Sequence, residues 1–287
     1  MDELRLSDGA VEVVVLPGVG ARLHRLRAFG HDLLRTPADP AEHLRDPFFW
    51  GAYVMAPWCG RIDARPVAVG SRRVSVASNF PDGSAIHGQV YARPWDVRGD
   101  GILGVAGGGD GWPWEYEVVL RIEVVDRSVR LGLRLANLST DPMPAGLGIH
   151  PWFLRPVLVA VRGDAVYRSN AASARDPEPV AGPYDLRRVG QPAADLDATW
   201  TGLAEPPVEL RWPFPGISAT MRVVSPAIHV VAASPGYLDA IAVEPQTHAP
   251  QGLRRLLGGE PGGMTMLDPG GVLELSVELV CDRLGGR

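Results

Sequence analysis

In Val129-Arg-Leu-Gly-Leu-Arg-Leu135 the apolar residues fall on every second position, with Arg130, Gly132 and Arg134 between them. A period of two marks a β-strand with one buried and one wet face, because successive side chains point to opposite sides of a pleated chain. Leu273-Glu-Leu-Ser-Val-Glu-Leu279 repeats the pattern near the other end. Working outward, apolar and β-branched runs at 11–16, 74–77, 118–125, 157–161, 221–224 and 229–232 read as further strands. Asp8-Gly9, Asp82-Gly83 and Asp100-Gly101 supply turns between them. Helical signals are confined to 40–45 and 252–257, each a turn or two. Neither can cross between parallel strands, so the sheets are expected to be mostly antiparallel. No repeat, linker or charge block divides the chain. Gly107-Gly-Gly109 beside Asp110-Gly111 reads as a loop tip. The expected architecture is one large all-β sandwich domain over residues 1–287.

Composition removes whole classes of function. All 28 basic residues are arginine, against 33 acidic ones, for a net charge of −5. Without lysine there is no Schiff-base nucleophile, pyridoxal-phosphate anchor or phosphate-loop lysine. The acidic balance gives no electrostatic footprint for nucleic acid or an anionic membrane. Cys59 and Cys281 are the only cysteines, too few for a disulfide framework or a cysteine metal site, which fits a reducing compartment. The N-terminal MDELRLSDG carries no apolar run, so no signal peptide is expected. No stretch approaches the roughly 20 apolar residues of a membrane-spanning helix. The expectation is a soluble cytoplasmic protein, monomeric or a homodimer.

Two positions stand out because one local logic produces both. In Gly146-Leu-Gly-Ile-His150-Pro151 and in Ala240-Ile-Ala-Val-Glu244-Pro245 a strand-like run reaches an ionisable residue followed by proline. Proline pushes the preceding residue to extended geometry and gives nothing to the ladder, so both side chains are expected at strand ends. Parity puts His150 on a face with Gly148 and Gly146, and Glu244 with Ala242 and Ala240. Leu147, Ile149, Ile241 and Val243 then point into the core. Each ionisable group lies on a face cleared of bulk, as a concave site requires; ordinary strands leaving the core would also read this way. His87-Gly88 follows the polar turn 79–86, and its glycine lets a ligand or a second chain segment approach. Arg61 lies near Phe48, Phe49, Trp50, Tyr53 and Trp58 in sequence, an arrangement for sugar or anion recognition or for simple stacking. Trp95, Trp112 and Trp114 are candidates for a sugar floor or for the core. The arginines between 22 and 35 alternate with apolar residues and read as the wet face of a hairpin.

Together these pieces resemble aldose 1-epimerase (galactose mutarotase). The resemblance rests on Ile86-His87-Gly88, Gly148-Ile-His150-Pro-Trp-Phe153 and Val243-Glu244-Pro-Gln-Thr247, in that order. Gly60-Arg61-Ile62 occupies the place of the family's Asn-Arg-Ile. Tyr184-Asp-Leu-Arg187 followed by Asp195-Leu-Asp197-Ala-Thr-Trp200 resembles its substrate-binding aspartate segment. The likeness runs from about residue 5 to about residue 283. It implies an antiparallel β-supersandwich that interconverts the α- and β-anomers of a free aldose without metal or cofactor. By the same correspondence Glu244 is the base and His150 the acid. His87 and Arg61 hold the sugar and steady the open-chain carbonyl, and Asp197 binds ring hydroxyls, with Asp195 and Asp185 as alternatives. General acid–base catalysis of this kind contributes about 10²–10⁴-fold per group.

Free histidine titrates near pH ~6.5, so carboxylates close to His150 are expected to favour its protonated form. Cys59-Gly60 departs from the family at the residue before the arginine. His87-Gly-Gln-Val-Tyr-Ala-Arg93 differs from the His-Gly-Phe-Ala-Arg-like run of hexose-6-phosphate epimerases, which weighs against a phosphosugar. Three other readings remain: a sugar-binding protein of this fold that turns nothing over, a hexose-6-phosphate epimerase, and a metal site built from His87, His150 and Glu244.

Overall fold

The structure is a computed structural model that describes residues 2–169 and 176–285. Fifteen strands carry the architecture: β1 (Leu4–Ser7), β2 (Val11–Leu16), β3 (Arg22–Ala28), β4 (Ala52–Met55), β5 (Asp96–Gly99), β6 (Ile102–Gly109), β7 (Trp112–Val125), β8 (Ser128–Asn137), β9 (Gly148–Leu154), β10 (Leu158–Tyr167), β11 (Leu196–Trp212), β12 (Ile217–Val224), β13 (His229–Ser234), β14 (Ala240–Gln246) and β15 (Val272–Arg283). The two stretches with the clearest alternation turn out to be neighbours. β8 pairs antiparallel with β15, placing Val129, Leu131, Leu133 and Leu135 opposite Leu279, Val277, Leu275 and Leu273. On the wet face Arg130 lies opposite Glu278, and their charged groups meet at 2.7 Å. A register that matches apolar to apolar and charge to countercharge leaves no incentive to slip.

Every pairing in the main sheet is antiparallel. One layer runs β5-β6-β7-β8-β15-β12-β11. The other runs β11-β13-β14-β9-β4-β3-β2-β1. The long strand β11 joins them: its first residues pair with β13 and its last with β12, while β10 follows its opposite edge. The sheet thus curls on itself around one continuous apolar core, as the sandwich reading requires. The only α-helices among the described residues are Glu42–Arg45 and Gly252–Gly258. None is long and apolar enough to cross a membrane.

Three expectations need correction. Gly107–Gly109 is not a loop tip but the end of β6; the reversal comes at Asp110-Gly111. The strand expected at 74–77 stops at Val74. Of the two readings of Trp95, Trp112 and Trp114 the core one holds, since all three are buried. Arg22 is not on a wet face at all: it is fully buried and donates to the carbonyls of Trp50, Pro47 and Tyr91. Backbone oxygens replace water around the guanidinium, and burial lowers its pKa only to about 10, so it stays charged at neutral pH.

Candidate active site

The site grows out of the register of β9 and β14. Gly148 lies opposite Gln246 and Trp152 opposite Ala242, which makes His150 and Glu244 cross-strand neighbours. Both sit inside their strands, buried to 5% and 3% exposure, rather than at strand ends. The prolines do not end the strands because each has a tolerant place: the ladder between β9 and β14 opens between Gly148 and Trp152, while Pro245 pairs in register with Val230. The face assignment holds. Leu147, Ile149, Ile241 and Val243 belong to the main core, whereas Ala240 and Ala242 pack with Trp152 on the other side. Thr247 clips the two strands together, its Oγ1 accepting from the Leu147 N–H at 2.9 Å.

His150 Nε2 meets Glu244 Oε1 at 3.1 Å. The His150 ring is stacked on Tyr53 at 4.6 Å between centroids and meets the edge of His87 at 5.0 Å. Behind Tyr53 stands the buried Arg22, 4.7 Å from that ring. His150, Glu244, Tyr53 and His87 line a cavity of about 260 Å³ together with Arg61, Asp195, Asp197, Trp152, Gln246 and Tyr237. Larger hollows of about 650 and 890 Å³ elsewhere are lined by no buried titratable side chain.

The glycine after His87 serves a second chain segment. A Cβ on Gly88 would lie 1.9 Å from the Ala56 carbonyl oxygen, and the Gln89 N–H donates to that oxygen at 2.7 Å. His87 is itself held at φ +61°, a conformation that needs surrounding support. Its N–H donates to the carbonyl of Gly60, so the segment before Arg61 also fixes His87. At Gly60 the wall is bare: a Cβ there would meet nothing within 4 Å. His248 ties the same segment to the end of β14, accepting the Cys59 N–H at 3.0 Å.

Arg61 donates to Asp82 at 2.7 Å and lies 4.0 Å from Asp197, with its guanidinium over Phe80. Asp195 also lines the cavity, but its Oδ1 accepts the Gly236 N–H. Asp185 is paired with Arg187 and does not line the cavity. The structure therefore brings Glu244, His150, His87, Arg61 and Asp197 to one cavity. Tyr53, Asp82 and Tyr237 were not singled out in the sequence as site residues. Tyr53 appears there only as one of several aromatics, Asp82 only as a turn residue, and Tyr237 carries no local signal.

Burial dominates the electrostatics. It lifts the Glu244 carboxyl well above the ordinary carboxylate range, with Asp197 adding to the rise. It drives the His150 imidazole well below its ordinary value, assisted by His87 and Arg22. The carboxylate expected beside His150 is present, yet desolvation outweighs it and the protonated form is not favoured. His87 is pushed down to about 3 by burial and then by Arg61. Three buried atoms of cavity-lining residues have no protein partner: His87 Nδ1, His150 Nδ1 and Gln246 Oε1. Unpaired buried polar atoms are costly unless a ligand or water completes them, and hydroxyl groups, which both donate and accept, suit all three. Among the described residues no group of three or more His, Cys, Asp or Glu side chains is arranged to hold a metal.

A helix-poor, curled antiparallel sheet with this cluster on one face is the galactose mutarotase-like fold. A solved structure of a candidate aldose 1-epimerase from Escherichia coli K12 superimposes with a TM-score of 0.83 at 19% identity, covering 99% of each chain. A galactose mutarotase-like protein from Clostridium acetobutylicum gives 0.82 at 17% identity, covering 98% of this chain and 95% of that one. Galactose 1-epimerase from Lactobacillus acidophilus NCFM gives 0.76 at 17% identity over 96% and 92%. No curated protein sequence matches the chain. The family model for aldose 1-epimerase matches residues 2–170. The chain belongs to the aldose 1-epimerase family.

Proposed function

We propose that the protein is an aldose 1-epimerase that equilibrates the anomers of a free, unphosphorylated hexose, with Glu244 as base and His150 as acid. The observation that carries this reading is the buried His150–Glu244 pair at 3.1 Å, open to a cavity of about 260 Å³. The anomeric hydroxyl and the ring oxygen are bonded to the same carbon, so two adjacent side chains can reach both. Glu244 takes the O1 proton as the C1–O5 bond breaks, and His150 gives its Nε2 proton to O5. The open chain turns about C1–C2, presents the other carbonyl face, and closes with both transfers reversed.

Burial disfavours the ion pair at rest and leaves the shared proton on Glu244, but it strengthens each group once the ion pair forms. Ring opening converts an ion pair, glutamate and imidazolium, into a neutral pair. A burial-raised carboxyl is a stronger base and a burial-lowered imidazolium a stronger acid. His87, neutral at physiological pH, and Arg61 stand ready for the carbonyl oxygen, and Asp197 for ring hydroxyls. Arg61 is the only arginine lining the cavity among the described residues, and Asp82 already engages it. Asp195 and Asp197 would repel a phosphate dianion, which favours a neutral sugar over a hexose 6-phosphate.

Saturation-transfer NMR across free and 6-phosphorylated aldoses tests the proposal. Faster anomer exchange with at least one free hexose, and little with its 6-phosphate, is the expected result. Folded protein that accelerates none of them, yet shows sugar-induced shifts, would make it a binding protein instead.

A further inference from the structure

Among the described residues the large exposed aromatic side chains are Phe214 and Tyr237, at 87% and 77% exposure. Phe214 lines none of the cavities described above, whereas Tyr237 lines the candidate active site. An aromatic ring left mostly in water at the edge of that cavity offers a free face to a molecule bound there.

The ring is not on a loose loop. The Gly236 N–H before it donates to Asp195 Oδ1 at 2.8 Å, and Asp195 holds φ +57° to accept it. Leu238 after it packs against Trp152 and Phe49. Asp239 accepts from Arg35 at 2.5 Å, and its carbonyl takes the Arg155 N–H at 2.9 Å. The turn is thus tied on both sides while its one large ring faces solvent. These ties also give Asp195 a structural task distinct from that of Asp197.

Resting on the epimerase reading above, we propose that Tyr237 is the platform of a second saccharide subsite. The reducing ring of a disaccharide occupies the His150–Glu244 pair, and the next ring stacks its apolar C–H face on the electron-rich face of Tyr237. Such a contact needs no charge, which matches a cavity whose arginine is already engaged. It also needs no phenol hydroxyl, because the ring face makes it.

The test compares galactose with lactose, and glucose with maltose, by anomer-exchange NMR in wild type, Tyr237→Ala and Tyr237→Phe. The expected KM for each disaccharide is about three- to tenfold below that of its monosaccharide, as one aromatic contact provides. Tyr237→Ala should raise the disaccharide KM by the same factor relative to the monosaccharide, with kcat for the two sugars changing in parallel. Tyr237→Phe should restore the wild-type preference. Disaccharides bound no better than monosaccharides, or an alanine variant that shifts both equally, would overturn the subsite. If the wild type exchanges no sugar, the epimerase reading fails, and titration of methyl β-lactoside against methyl β-galactoside still decides the subsite. A lactoside preference lost in Tyr237→Ala supports it, and no preference refutes it.

Discussion

Two buried histidine clusters lie on the same layer of the sheet, and only one of them has the makings of a site. His24 Nδ1 and His43 Nε2 meet at 2.9 Å, His43 is fully buried, and its Nδ1 has no partner. His150 is likewise buried and His87 half-buried, and both are lowered in pKa and carry unpartnered Nδ1 atoms. The buried Arg22 contributes its charge to both clusters. By perturbed titration the two are alike. They differ in that the second faces a cavity and contains a carboxylate. Two imidazoles sharing one proton form a closed arrangement, whereas an imidazole and a carboxylate can exchange protons with a third molecule. A displaced pKa therefore marks a candidate, and access plus a partner of opposite proton affinity marks chemistry.

The largest expected effect separates the clusters directly. Glu244→Gln keeps the shape of the cavity but removes the base, and kcat should fall about 10²–10⁴-fold while sugar affinity by NMR titration changes little. His43→Ala should leave kcat near wild type but lower unfolding stability by about 2–4 kcal/mol, through the void and the orphaned His24 nitrogen. Denaturant melts alongside turnover measure both. A His43 variant that loses activity as deeply as Glu244→Gln would erase the distinction.

That distinction was half legible in the sequence. Period-two alternation from Val129 to Leu135 and from Leu273 to Leu279 carried the fold class, because a strand's two faces are written into every second residue. The same parity placed His150 and Glu244 opposite their core-facing neighbours. The proline rule then misled: it treats a strand in isolation, whereas β9 is held on its far edge by β4, where Pro151 lies opposite Ala52. Arg22 failed for a related reason. Its neighbours in sequence look like a wet hairpin, but the carbonyls that accept its protons come from Pro47, Trp50 and Tyr91. Tyr53 against His150, Asp82 against Arg61 and Tyr237 at the mouth are products of long-range pairing, and no local pattern encodes them.

Acid should act on the two clusters in different observables. The folded pKa of His43 is about 2, pushed down by burial, against ~6.5 for the unfolded chain. A depressed value means the stabilisation is complete above pH ~6.5 and is lost as pH falls towards about 2. Melting temperature should decline through that window, and His43→Phe, which cannot be protonated, should flatten part of the decline. The site cluster instead governs turnover. The single proton shared by His150 and Glu244 is required in both halves of the reaction, so kcat/KM should be bell-shaped. Activity fails on the alkaline side when the pair loses that proton and on the acid side when it gains a second. Both arms belong to the pair rather than to either residue. A profile with no alkaline loss would remove His150 as the acid.

The smallest effect concerns a charge pair at the rim of the open cluster. Asp82 and Arg61 meet at 2.7 Å, but their side chains are 43% and 24% exposed, so water and salt screen them. Asp82→Asn should therefore leave stability within about 0.5 kcal/mol, in contrast to any change at His43. What it alters is the charge a ligand meets, because Arg61 keeps its position over Phe80 but loses its strongest countercharge. The KM for a free hexose should change by no more than about fivefold, the range for an exposed pair. Inhibition by the corresponding 6-phosphate should strengthen and should weaken again as salt is added. Unchanged phosphate affinity would mean that Asp197, 4.0 Å from the same guanidinium, maintains the exclusion by itself.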